Sequence, residues 1–243
     1  MLLVHGMAEH SARYDHVGAA LSERGIDVLS FDLRGHGRSG GRRGHVDAFD
    51  TFLDDVEDLL GDRRRLGVPV VLMGHSMGGL IAAAYAVSGR PEPDLLVLSA
   101  PALAVEAPTW QRLAAGALAR IVPTLALPND LAAELLSRDP SVAAAYRDDP
   151  LRLRSATTRL GNELFAAMDR TRAQAQRLSV PTYVLHGGED RLVPAAASEP
   201  LGANPEVTRV VYEALRHECL NEPERDEVLA DLVDWLDERL ADR

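Results

Sequence analysis

The sequence predicts an α/β fold: a mostly parallel sheet with helices on both faces and one helical insertion. Three observations lead there. Short apolar, β-branched runs alternate with helical periodicities from residue 2 to residue 101, the alternation stops between 102 and 178 in a stretch rich in Ala and Leu, and it resumes at Thr182. Strands joined by helical crossovers run parallel and are covered on both faces. Residues 1–101 and 179–243 are therefore expected to form the core, and 102–178 a helical cap.

Each element has its own signal. Leu2 to Val4 reads as a buried strand running into His5, Gly6 and Met7. In RYDHVGAALSERG, Tyr14, Val17 and Leu21 recur at helical spacing and Gly25 supplies the stop. DVLSFDLR is a second strand, opening into the glycine-rich RGHGRSGGRRGH. Asp47 is placed to cap a helix with Phe49, Phe52, Leu53, Val56 and Leu60 on one face. Pro69 to Met73 is an apolar run, and a helix rich in Ala and Leu follows it. DLLVLSAP gives the next strand. In the insertion, TWQRLAAGALARIV and DLAAELL read as helices and no strand is expected. TYVLHG and VTRVVYE add two strands, and EVLADLVDWLDERL closes as an amphipathic helix. The insertion would lie over the C-terminal strand ends, where such sheets place their sites, as a lid or as a plain scaffold pair.

Composition excludes several classes. With 243 residues, 46% hydrophobic and 26% charged, the chain can bury a core unaided and suggests neither disorder nor a membrane protein. A net charge of -11 repels phosphate backbones and anionic bilayers, so no nucleic acid partner is expected. Cys219 stands alone and no HExxH spacing occurs, so neither a disulfide, a metal nor a cofactor is expected. No apolar run approaches the roughly 20 residues of a bilayer span, and MLLV is too short for a secretion signal. A cytoplasmic address follows.

Gly74-His75-Ser76-Met77-Gly78 is a GxSxG between strand and helix. A turn that sharp needs residues without side chains two before and two after the serine, and it lifts the Ser76 hydroxyl out of the sheet. GxSxG also arises by chance in glycine-rich chains; the strand before it and the helix after it favour a nucleophile. A serine hydroxyl needs a base, and the base a third group to hold its tautomer. Asp190, in VLHGGEDRLVP, and His217, in YEALRHECLNEP, follow later strands in the order serine, acid, histidine. Glu189 is a rival acid; the bland alternatives are a turn-stabilising aspartate and a helix-capping histidine. The amides of Met7 and Met77 are the expected oxyanion donors.

Gly35, Gly37 and Gly40 spell the GxGxxG of dinucleotide sites, but Arg42 and Arg43 separate it from the next helix, which favours a structural loop. Cys219 reads as a small buried hydrophobe, with a reactive thiol as the alternative.

The stretches LLVHGMAEHSARYDHV, FDLRGHGRSGG, GHSMGG, LVLSAPA, SRDPSVAAAYRDDPL, VLHGGEDRLVP and HECLNEPERDEVLADLVDWL make the chain resemble the monoacylglycerol lipases of the α/β-hydrolase superfamily, especially the bacterial branch with mycobacterial members. The resemblance implies that fold, Ser76, Asp190 and His217 as the triad, Met7 and Met77 as oxyanion donors, and a small lipid ester as substrate. It further implies that Glu9 and Arg13 shape a polar end receiving glycerol; from the residues alone they read as a surface ion pair. The apolar cap face would touch lipid peripherally. Two strands usual at the family's start are absent here, which would leave DVLSFD as a sheet edge open to pairing with a second copy. A carboxylesterase or lysophospholipase with the same triad, and a non-catalytic binding protein on this fold, are the alternatives.

Overall fold

The computed structural model describes residues 1–105, 109–129 and 131–241, with the side chains of residues 109 and 111 left aside. Parts of the expected core and cap ranges, residues 106–108, 130 and 242–243, lie outside it, Asp130 of DLAAELL among them. Eight strands are described: β1 (Leu2–Val4), β2 (Leu29–Phe31), β3 (Val71–His75), β4 (Leu95–Ser99), β5 (Ala126–Pro128), β6 (Ser155–Thr157), β7 (Thr182–Gly187) and β8 (Val207–Tyr212). The helices are α1 (Asp15–Ser22), α2 (Asp50–Arg64), α3 (Met77–Ala86), α4 (Thr109–Ile121), α5 (Pro140–Asp148), α6 (Thr158–Ala173), the short α7 (Glu199–Gly202) and α8 (Arg225–Leu240).

Six strands form one parallel sheet in the order β2-β1-β3-β4-β7-β8, with β2 at one edge. Its faces follow from the two-residue period of a strand. Leu2, Val4, Leu72, Leu96, Leu98 and Val184 pack with α2, α3 and α6 on one side. Leu3, Met73, Leu95, Val97 and Leu185 pack with α1 and α8 on the other. The order reverses between β1 and β3, so the crevice beyond their C-terminal ends is the natural site.

Three expectations need correction. The 102–178 stretch contains strands: β5 and β6 pair antiparallel, Leu127 opposite Ala156. Three-residue strands carry too little alternation to be read locally, and this pair is set by a distant contact, the Thr157 amide donating to the Gly44 carbonyl at 2.8 Å. DLAAELL contributes a 3-10 turn, Ala133–Leu135, rather than an α-helix. Nor does Asp47 cap α2. Phe49 occupies the N-cap position, and its amide donates to Glu163 Oε2 of α6 at 3.1 Å. Burying Phe49 takes precedence over a local cap, and Asp47 is left in solvent against His45.

The glycine-rich loop after β2 is held by hydrogen bonds to Asp32. Gly35 and Gly37 have positive φ, and Asp32 holds the loop by accepting from the Ser11 and Arg38 amides at 2.9 and 2.6 Å.

Buried histidines give the fold a pH dependence. The His5 Nδ1–H donates to the Gly6 carbonyl at 2.8 Å while Nε2 accepts from the Leu33 amide at 2.9 Å, an arrangement that only the neutral ring can make. Burial lowers its pKa, and lowers those of His36 to about 4 and His75 to about 3. The unfolded chain protonates these rings near pH 6.5, so their contribution to stability is complete above that pH and falls as pH drops toward 4 and then 3. Each costs up to about 1.4 kcal/mol per pH unit in that window. Urea midpoints are expected to fall from pH 7 to pH 5 with an unchanged m value; equal midpoints contradict this reading.

Candidate active site

Four of the positions picked out by sequence follow the C-terminal ends of four strands: Met7 after β1, Ser76 after β3, Asp190 after β7 and His217 after β8. Ser76 has φ 52° and ψ −114°, outside the favourable regions for a residue with a side chain. Its backbone is held at both ends: its amide donates to the Ser99 carbonyl at 2.9 Å, and its carbonyl accepts from the Leu80 and Ala102 amides. The glycines on either side are required by contact. A Cβ at Gly74 would lie 2.2 Å from the Gly78 carbonyl oxygen, and one at Gly78 would lie 2.1 Å from that of Val4.

Met77 is the first residue of α3, so its amide has no carbonyl partner within the helix and points with the helix dipole's positive end. Among the described residues no hydrogen bond occupies the Met7 amide. Met7, Ser76, Met77 and His217 line one cavity of about 210 Å³, whose other walls include Leu80, Val105, Leu164, Met168 and Val193. Larger grooves, of about 440, about 240 and about 460 Å³, lie by Met1 and Arg63, by Phe49 and Arg170, and by Asp32 and Asp55, and none of them is lined by Met7, Ser76, Met77 or His217.

The His217 Nδ1–H donates to Asp190 Oδ2 at 2.7 Å. The other carboxylate oxygen accepts the Leu192 and Val193 amides at 2.8 and 2.9 Å, and His186 Nε2 lies 3.4 Å from Oδ2. Burial alone would raise the Asp190 pKa, but the hydrogen bonds from His186, His217 and the Val193 amide outweigh it and hold the carboxyl well below the usual range. Glu189 is exposed; the arrangement favours Asp190 over that rival. With Nδ1 engaged, Nε2 is the ring nitrogen available to a serine, and both side chains line the same cavity. Among the described residues Ser76 Oγ makes no hydrogen bond; such contacts tighten when a substrate fills the site.

Glu9 and Arg13 are no surface pair. Both are largely buried, 2.8 Å apart, and Arg13 also forks onto Glu218, which sequence reasoning missed. Its signal was only adjacency to His217, because the partner lies 205 positions away. Cys219 is buried and burial drives its thiol pKa up, so it is a small core residue and no ready thiolate. Among the described residues no group of three His, Cys, Asp or Glu side chains is placed to hold a metal, and no helix is long and apolar enough to cross a membrane.

A family model described as serine aminopeptidase, S33, matches residues 1–224. The chain is 38% identical to the monoacylglycerol lipase of Mycolicibacterium smegmatis, over 97% of this chain and 87% of that protein. It is 30% identical to phospholipase YtpA of Bacillus subtilis, over 94% and 91%. In structure it is similar to the monoacylglycerol lipase of Paleococcus ferrophilus, with a TM-score of 0.88 and 33% identity over 98% of this chain and 93% of that one.

Proposed function

The chain is an α/β-hydrolase and belongs to the serine aminopeptidase S33 family, and from there we propose that it cleaves monoacylglycerols to fatty acid and glycerol through an acyl-enzyme. The observation that carries this reading is an apolar cavity with Ser76 and an Asp190-anchored His217 in its wall. Ser76 Oγ attacks the ester carbonyl as His217 Nε2 takes its proton; the amides of Met7 and Met77 stabilise the oxyanion. The carbon–oxygen bond to glycerol breaks as Nε2 returns that proton to the leaving oxygen. Water then attacks the acyl carbon by the same route, freeing the acid and restoring Ser76.

The acyl chain lies among Leu80, Leu164 and Met168, each buried methylene being worth about 0.8 kcal/mol. Glu9 and Arg13 shape the opposite, polar end for glycerol. Residues 102–178 serve as the cap. Its exposed Trp110, Leu113, Ile121, Leu125 and Leu127 touch lipid peripherally from a cytoplasmic address, and the stretch 109–129 contains no Asp or Glu, which offsets the repulsion set by the overall charge.

A hydrolysis panel tests this reading: mono-, di- and triacylglycerols beside lysophospholipids and short aryl esters. Monoacylglycerols are expected to give the highest kcat/KM. A preference for lysophospholipid would transfer the assignment to the phospholipase reading. Trp110→Ser is expected to slow hydrolysis of emulsified substrate and leave monomeric substrate unaffected.

A further inference from the structure

The stretch containing His217 is pinned on both sides of the imidazole. The Arg216 amide donates to Glu222 Oε1 at 2.7 Å, and the Glu218 amide donates to the Leu136 carbonyl at 2.8 Å. The Glu218 carboxylate is itself buried. Arg13 Nη1 donates to its Oε1 at 2.6 Å and Nη2 to its Oε2 at 2.7 Å, and Asn221 Nδ2 adds a third bond at 2.9 Å. A forked guanidinium on a carboxylate fixes rotation as well as distance, which a point charge does not.

The same guanidinium reaches the other half of the site. Its Nη1 donates to Glu9 Oε2 at 2.8 Å, and Glu9 Oε1 accepts from the Gly6 amide and from the Tyr14 hydroxyl. Gly6 immediately precedes Met7. Arg13 thus joins the residue after His217, through Glu9, to the residue before Met7. As a stability device this cluster is poor, because two buried carboxylates facing one arginine must be desolvated and are only partly neutralised. Its geometric effect is direct.

Building on the triad assigned above, we infer that Glu218, held by Arg13, is a positioning residue. The pair, linked through Glu9 to the Gly6 amide, sets the His217 imidazole and the Met7 amide at a fixed separation, so that base and oxyanion donor meet the same carbonyl. Glu218 touches no reacting atom and acts through the backbone it shares with His217.

The test uses the full chain with Glu218→Gln, Arg13→Lys and the double variant, assayed on a soluble aryl ester beside Ser76→Ala. Arg13→Lys keeps every charge and loses only the fork, so it separates geometry from electrostatics; should Glu218→Gln fail to fold, Arg13→Lys decides alone. The expected result is a loss in kcat of roughly tenfold to a hundredfold, the scale of an ångström-sized misplacement, with KM within about twofold and every active site still titrated by a fluorophosphonate. The double variant should lose no more than the worse single one, because both act through one contact. Wild-type kcat in a folded variant, a change confined to KM, or losses that multiply in the double variant overturn the inference. If Ser76→Ala is inert while Glu218→Gln turns over normally, only the positioning role fails; if Ser76→Ala stays active, the triad itself fails.

Discussion

Ser76→Ala is expected to lower kcat by about a millionfold, the scale on which serine proteases lose activity with their nucleophile, and to leave the fold unchanged. The hydroxyl takes part in no hydrogen bond among the described residues, whereas the Ser76 backbone makes three, to Ser99, Leu80 and Ala102. Alanine keeps all three. A companion result separates strain from chemistry: at φ 52° a Cβ is unfavourable, so Ser76→Gly is expected to be equally inactive and more stable by about 1 kcal/mol. Fluorophosphonate labelling, hydrolysis rates and thermal midpoints measure all of this. An alanine variant with substantial activity would refute the assignment of the nucleophile.

Asp190→Asn has the second largest expected effect, a fall in kcat of about ten-thousandfold, as when the equivalent change is made in a serine protease triad. The reason is visible in the hydrogen bonds. Oδ1 accepts two backbone amides, from Leu192 and Val193, and an asparagine must keep its oxygen there or face those donors with its own. Its amide nitrogen then faces His217 Nδ1, which has to become an acceptor and shifts the ring proton to Nε2. That is the tautomer unable to take a proton from serine. Because the loop bonds survive, the variant should fold and still label slowly with fluorophosphonate. Retention of more than about a tenth of wild-type turnover would show that His217 does not depend on this carboxylate for its tautomer.

Much of the site was legible because its constraints are local. Gly74 is demanded by a contact within the turn itself, where its Cβ would meet Gly78, and the strands announce themselves by apolar runs whose two faces alternate; Gly78 was legible only through the GxSxG spacing, since the carbonyl its Cβ would meet belongs to Val4. The order serine, acid, histidine along the chain added the rest, since each residue follows a strand that a parallel sheet brings to the same edge.

Sequence alone determined the alternation of strands and helices, the nucleophile turn and the three residues proposed as its triad, because short-range sterics and hydrophobic period write these directly into neighbouring positions. Only the tertiary structure decided that Phe49 rather than Asp47 takes the N-cap position of α2, with its amide on Glu163, that β5 pairs with β6, that Asp190 and not Glu189 reaches His217, and that Glu9 and Arg13 are buried with Glu218. In each case the partners come from separate segments or compete within one loop, and burial, which depends on everything packed around them, selects the pair.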